Sequence, residues 1–359
     1  MMLARLFLFL CGSAALAARG AEETFSLFGR FDLSGLHPVA DWSGSRLAIQ
    51  VQSSSETTTV SFPVEGLGYH YYVGLQVNCG SASKLEVTPS MTTLTFSFPS
   101  VPNRTYEVSL TKLTEASTGQ MSFGSPSVIG GGVLLPFHGL SCHSRPSRLL
   151  VVGDSISAGY GVSGVYPCTW SVGTEDVLSA WHTLVGESVD ASVVTIAWSG
   201  KGMVRNYGDA KSVSVDPMPT YYDRTLGSSD DSSLLWDSSS YVPDIVLVSL
   251  GSNDYSTLPN PSDEEFTSGY LSFLSRLSSD FPSALVVCLC EPLPGVHECE
   301  NVSAAAIASN ATFVVIPDDI YVMPDGCDGH PSVEGQKRIA DVVAPVVAEL
   351  LQGGVMMRR

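Results

Sequence analysis

Positive charge is scarce in this chain: lysine and arginine number 18 against 36 aspartates and glutamates, for a formal net charge of −18. Such a surface repels phosphodiester backbones and anionic headgroups, which argues against nucleic acid and charged membranes as partners. It suits a neutral substrate, and serves solubility equally well. Long apolar runs are missing too. Beyond a short N-terminal stretch, nothing approaches the ~20 apolar residues a membrane span needs. No Cys/His spacing matches a zinc site, so neither metal nor cofactor is expected. Charged residues are only 15% and hydrophobic ones 44%, a globular composition. At 359 residues, two domains are expected.

What is present begins with a leader-like segment. Arg5 precedes Leu6-Phe7-Leu8-Phe9-Leu10, and small residues follow to Ala18. Ala15-Leu16-Ala17 fits a cleavage site and Ala21 an alternative, so residues 1–21 read as a signal peptide of a secreted protein. Cys11 would leave with it, and the remaining Cys79, Cys142, Cys168, Cys288, Cys290, Cys299 and Cys327 are odd in number. Cys288 and Cys290 alternate on one strand and read as small buried residues, while Cys299 and Cys327 read as loop cysteines and the expected bridge. Asn103, Asn301 and Asn310 stand in glycosylation triplets, as of a glycoprotein.

Two periodicities divide the mature chain. From Phe25 to Leu135 apolar residues alternate, as in Leu47/Ile49/Val51, Tyr71/Val73/Leu75, Leu94/Phe96/Phe98 and Tyr106/Val108/Leu110. Turn-forming residues separate these runs, which predicts a β-sandwich or jelly roll over residues 22–140. From Arg148 onward, buried strands at Leu149–Val152, Val193–Ala197, Ile245–Leu250, Leu285–Leu289 and Phe313–Ile316 alternate with helical patterns. Ser262 and Glu265 form a capping box before one helix, and the last helix opens near Ser332, with Pro345 expected to kink or interrupt it. This is an α/β domain over residues 147–353: a three-layer, flavodoxin-like arrangement around a parallel sheet.

In open α/β sheets, ligands gather at the carboxyl ends of strands. Ser155, in Gly153-Asp154-Ser155, follows such an end and is the candidate nucleophile. A serine hydroxyl needs a base and donors for the oxyanion it creates. His330, in Asp328-Gly329-His330-Pro331, is the candidate base, with Asp328 as its candidate orienter. His182 lies in a helix beside Trp181 and reads as structural. Asn253, beyond the strand Ile245–Leu250, and Gly200, in Trp198-Ser199-Gly200-Lys201-Gly202, are candidate oxyanion donors together with the Ser155 N–H; Gly202 is an alternative to Gly200. Tyr160, Tyr207 and Tyr255 are candidate substrate-stacking residues. Each triplet alone is an ordinary turn. Their ordered recurrence beyond strand ends carries the reading.

With these residues in order, the sequence resembles the SGNH (GDSL) hydrolases. Gly153-Asp154-Ser155-Ile156-Ser157-Ala158-Gly159-Tyr160-Gly161, Arg205-Asn206-Tyr207-Gly208 and Gly326-Cys327-Asp328-Gly329-His330-Pro331 are similar to blocks of carbohydrate esterase family 2. Gly29-Arg30-Phe31-Asp32 and Asp41-Trp42-Ser43-Gly44-Ser45-Arg46 look like the opening of that family's jelly-roll domain. The resemblance implies a monomeric esterase that removes O-acetyl groups from polysaccharides or oligosaccharides of xylan, mannan or glucan type, through an acetyl-enzyme on Ser155. Family members can work with a Ser–His dyad, whose histidine is braced by a backbone carbonyl. Two departures stand out: Cys327 occupies the position three before the histidine where many SGNH enzymes carry aspartate, and Gly329 stands where relatives can carry a bulky aromatic. The alternatives are a short-chain lipase or thioesterase, or a non-catalytic glycan-binding protein.

Overall fold

The computed structural model describes residues 24–64, 69–137, 145–231, 233–291, 298–317 and 326–357. The leader segment, Cys142 and His297 lie outside the described residues. The front region is antiparallel throughout. One sheet runs in the order Phe25–Phe28, Arg46–Ser53, Thr105–Lys112, Tyr71–Val77, Ser83–Val87, with Gly132–Leu135 also pairing against Arg46–Ser53. The second runs Ser127–Gly130, Thr57–Pro63, Thr93–Pro99. The alternating apolar residues explain why two sheets form: Ile49, Val51, Val73, Leu75, Val108 and Leu110 from the first meet Val60, Phe62, Leu94 and Phe98 from the second in one core.

The rear region is a five-stranded parallel sheet, in the order Ala191–Ala197, Ser147–Gly153, Ile245–Ser249, Leu285–Cys290, Thr312–Val315. Its strands are apolar on both faces because both faces are covered. Leu150, Val152, Val246 and Val248 join Phe266, Tyr270, Phe273 and Leu274 of the helix Asp263–Asp280. Their strand neighbours Leu149, Val151, Ile245 and Leu247 join Trp181 and Val185 on one helix, and Ile339, Val343 and Val347 on another. The capping box forms as the sequence predicts, with Ser262 Oγ accepting from the Glu265 N–H and Glu265 Oε2 from the Ser262 N–H. Pro345 does not interrupt the last helix, which runs through it from Val333 to Met357. The proline is exposed, so the carbonyl left without its N–H partner can be hydrated.

The regions share more than a seam. Trp42 and Ala116 of the front belong to the rear region's core, and Trp42 packs edge-on against Trp198 with ring centroids 6.2 Å apart. Buried Arg30 donates to the carbonyls of Tyr222 and Arg224, and buried Asp41 accepts from the Gly227 and Ser228 N–H groups at 2.9 and 2.8 Å.

Candidate active site

Gly153 is registered against Ala197 on one side and Ser249 on the other, so the three loops leaving these strands begin side by side. A Cβ at Gly153 would overlap the Ser157 side chain, which requires glycine there. Ser155 opens the one-turn helix Ser155–Ala158. Asp154 caps it by accepting from the Ile156 N–H at 3.0 Å, and Gly159 closes it at a φ of 80°. Ser155 is 7% exposed.

His330 comes from the far end of the chain. The turn Cys327–Gly329 closes when the His330 N–H donates to the Cys327 carbonyl at 3.0 Å. The ring then places Nε2 2.8 Å from Ser155 Oγ, although 175 residues separate them. Burial lowers the His330 pKa below its ordinary 6.5, and the carbonyls of Asp328 and Cys327 and the Asp328 charge offset this only in part. A neutral ring at pH 7 can accept a proton. His182 behaves as the sequence suggests: it is fully buried, its Nε2 pairs with the Ser157 carbonyl at 2.7 Å, and burial lowers its pKa to about 4.

Asp328 stands two residues from the base, but its carboxylate turns elsewhere. Oδ2 accepts from the Tyr160 hydroxyl at 3.0 Å and from the Trp170 N–H at 2.7 Å. His330 Nδ1 is buried and has no hydrogen bond of normal geometry; the carbonyls around it are those of Asp328 and Cys327. Asp328 sits at a φ of 51°, in the left-handed region. It therefore ties the loops around the base together. Tyr160 lies 4.1 Å from the His330 ring, centroid to centroid, and Trp170 stacks on Tyr160 at 5.6 Å. These rings surround the base where Gly329 provides no side chain.

The cystine that secures this corner is Cys168–Cys327, with Cα atoms 4.6 Å apart. The expected Cys299–Cys327 bridge does not form. The loop after Gly161 folds back so that Asp328 N–H donates to the Cys168 carbonyl at 3.0 Å. Cys299 instead lies in the helix Glu298–Ala308 and bridges Cys290, which is thus not a free small residue; among the described residues Cys288 is the buried free thiol.

On the neighbouring loop, the Lys201 N–H donates to the Trp198 carbonyl at 3.2 Å and Gly200 has a φ of 80°, as the third position of a type II turn requires. Among the described residues the Gly200 N–H meets no acceptor. Gly202 differs: its N–H donates to Asn206 Oδ1 at 3.3 Å, and a Cβ there would overlap the Arg205 carbonyl. This geometry favours Gly200 of the two. Asn253, 7% exposed, donates through Nδ2 to Asp154 Oδ2 at 2.9 Å and to the Lys201 carbonyl at 3.0 Å. It thereby joins the residue before Ser155 to the residue after Gly200. Both amide hydrogens have acceptors, so an oxyanion would share one of them.

Asp254 went unassigned in the sequence, although an acid directly after Asn253 in a buried motif was a visible signal. It is fully buried, and its carboxylate accepts from the N–H groups of Met203, Val204 and Arg205 at 2.8, 2.7 and 2.8 Å. Burial raises its pKa to about 6, against the pull of those bonds. Tyr255, another candidate for stacking on substrate, is half-buried. Its ring packs on Phe266 at 5.2 Å and its hydroxyl accepts from Asn301 Nδ2 at 2.9 Å. Asn301 also donates to Asp263, so its amide serves as an internal tie. Tyr207 is 61% exposed, and its N–H donates to the Gly200 carbonyl at 2.8 Å, which leaves its ring at the rim beside Gly200. A cleft between the two regions, bordered by Arg46, Trp236 and Tyr241, contains none of these groups. Among the described residues, no cluster of His, Cys, Asp and Glu could hold a metal, and no helix is long and apolar enough to cross a membrane.

Similar proteins include the cellulase/esterase CelE of Acetivibrio thermocellus, 26% identical over 87% of this chain, which spans only 38% of that protein. An acetylxylan esterase / glucomannan deacetylase of Cellvibrio japonicus is 24% identical over 86% of this chain and 81% of its own length. Among solved structures, a family two carbohydrate esterase from Clostridium thermocellum in complex with cellohexaose aligns with a TM-score of 0.80 and 26% identity, over 91% of this chain and 99% of that one. Residues 151–338, which hold Ser155, Gly200, Asn253 and His330, match the GDSL-like Lipase/Acylhydrolase family, and the chain belongs to it.

Proposed function

We propose that the protein is a secreted serine esterase that removes O-acetyl groups from polysaccharides or oligosaccharides. The observation that carries this reading is the 2.8 Å approach of His330 Nε2 to Ser155 Oγ at the carboxyl edge of the sheet. Burial favours the neutral ring, so Nε2 takes the hydroxyl proton as Oγ attacks the acetyl carbonyl. Negative charge then gathers on the carbonyl oxygen. In this reading the Ser155 and Gly200 N–H groups and the Asn253 amide donate to it. Collapse expels the sugar alkoxide, which takes the proton from the imidazolium. Water, deprotonated by the same ring, releases acetate and restores Ser155. Asp328 takes no proton in this scheme; it holds Tyr160 and Trp170 around the base.

The carbohydrate part of the proposal is supported by the relatives, which are named as an acetylxylan esterase / glucomannan deacetylase and as a family two carbohydrate esterase holding cellohexaose. Exposed Tyr207 at the rim offers an apolar face to a sugar ring. Secretion is supported by the leader pattern around Arg5 and Leu6–Leu10. Acetate release from acetylated xylan, mannan and glucan, set beside hydrolysis of 4-nitrophenyl acetate and octanoate, tests the assignment. The expected result is acetate from at least one polysaccharide and a preference for the acetyl ester. Faster turnover of octanoate with no acetate from any glycan would make the protein a lipase-type esterase instead.

A further inference from the structure

We propose that Glu115, on the front region, is a positioning residue for the active site of the rear region. The inference rests on the esterase reading above and goes beyond it, because it makes the β-region part of the catalytic apparatus.

Glu115 follows the strand Thr105–Lys112, is 4% exposed, and is held at every polar group. Its carbonyl accepts from Lys112 Nζ at 2.8 Å and from Thr118 Oγ1 at 2.8 Å, and Ser117 Oγ donates to its Oε1. The remaining oxygen, Oε2, crosses to the rear region and accepts from the Ser199 N–H at 2.7 Å. Ser199 is the second residue of the turn that presents Gly200. Its hydroxyl is buried without a partner, so the backbone N–H is the tether.

A second arm reaches the base. The Glu115 N–H donates to Glu175 Oε1 at 2.6 Å, and Glu175 Oε2 accepts from Trp170 Nε1 at 3.3 Å. Trp170 stacks on Tyr160, which packs on His330. One front-region residue thus connects the oxyanion turn to the stack around the imidazole.

The test compares Glu115→Asp, whose carboxyl falls one methylene short, with Glu115→Gln, whose amide oxygen can still accept from Ser199. Asp41→Asn is the control: it perturbs the same interface, at Gly227 and Ser228, and leaves the Glu115–Ser199 bond in place. Two quantities are read, kcat and KM on 4-nitrophenyl acetate and hydrogen exchange of the segment 198–203. Glu115→Asp should lower kcat about tenfold with little change in KM, as misplacement of a catalytic donor does. Exchange of the segment should quicken by roughly tenfold, while Glu115→Gln and Asp41→Asn stay near wild type on both counts. Should Glu115→Asp fail to fold, Glu115→Ala removes the carboxylate, keeps the backbone bonds to Lys112 and Glu175, and should show the same loss of kcat. Wild-type kcat in a folded Glu115→Asp or Glu115→Ala, unchanged exchange, or an equal loss in Asp41→Asn overturns the proposal. A wild-type protein with no esterase activity overturns the functional reading instead, and the exchange data still decide whether the tether exists.

Discussion

Apart from Lys112, which bonds within the front region, and Glu175, which reaches from the rear to Glu115, the two regions bury charge in different ways. In the rear, Asp154, Asp254 and Glu291 are closed in by partners from the same region: Asn253 and Ile156, the N–H groups of residues 203–205, and the hydroxyls of Ser249 and Ser252. In the front, Arg30, Asp41 and Glu115 send their charged ends across the boundary, to Tyr222 and Arg224, to Gly227 and Ser228, and to Ser199. The front region has an apolar core of its own, so these groups are not needed to close it. Buried charges cost free energy unless paired. Of the three, Glu115 is the one whose carboxylate reaches the turn carrying Gly200.

The contrast can be broken or sharpened by substitution, beginning where the effect is greatest. Ser155→Ala and His330→Ala should each lower kcat by roughly 10⁴-fold or more with unfolding temperature nearly unchanged, measured on 4-nitrophenyl acetate. Asn253→Ala should cost about 10²-fold in kcat by loss of an oxyanion donor. It should also lower the unfolding temperature, since its amide joins Asp154 to Lys201. Trp42→Ala tests the boundary itself. Emptying that site should cost about 3–5 kcal/mol in urea unfolding and keep a single transition; two transitions would mean that the regions are independent. Asp328→Asn should cost only about threefold in kcat, because an amide oxygen still accepts from Tyr160 and Trp170. The pH profile gives the mildest contrast. His330 must be neutral to act and its pKa lies below 6.5, so kcat/KM should rise with pH through a limb centred below that value and level off above it.

Much of the rear region was legible because its chemistry is local. Ser155, Gly200 and Asn253 each lie within a few residues of a strand end, and parallel register makes those ends neighbours. His330 precedes the last helix, whose Ile339, Val343 and Val347 pack against the sheet. The cystines were misread for the opposite reason: what brings Cys168 to Cys327 is the fold-back of the loop after Gly161, which no spacing encodes. Tyr255 stands two residues after Asn253, and the single helical turn Ser252–Tyr255 turns its ring onto Phe266, which its place in the sequence does not reveal. Glu115 and Glu175 were silent because an acidic loop residue normally faces water. Their partners are backbone N–H and indole groups from other segments, which carry no sequence pattern.

The central claim is that Ser155 Oγ becomes acylated with His330 as its base. Mixing the protein with excess 4-nitrophenyl acetate, quenching in acid and mapping the peptides by mass tests it most directly. The account predicts one acetyl group on the peptide containing Ser155, absent in Ser155→Ala and much slower to appear in His330→Ala. Acetyl on another residue at full turnover, or undiminished hydrolysis by Ser155→Ala, would contradict it.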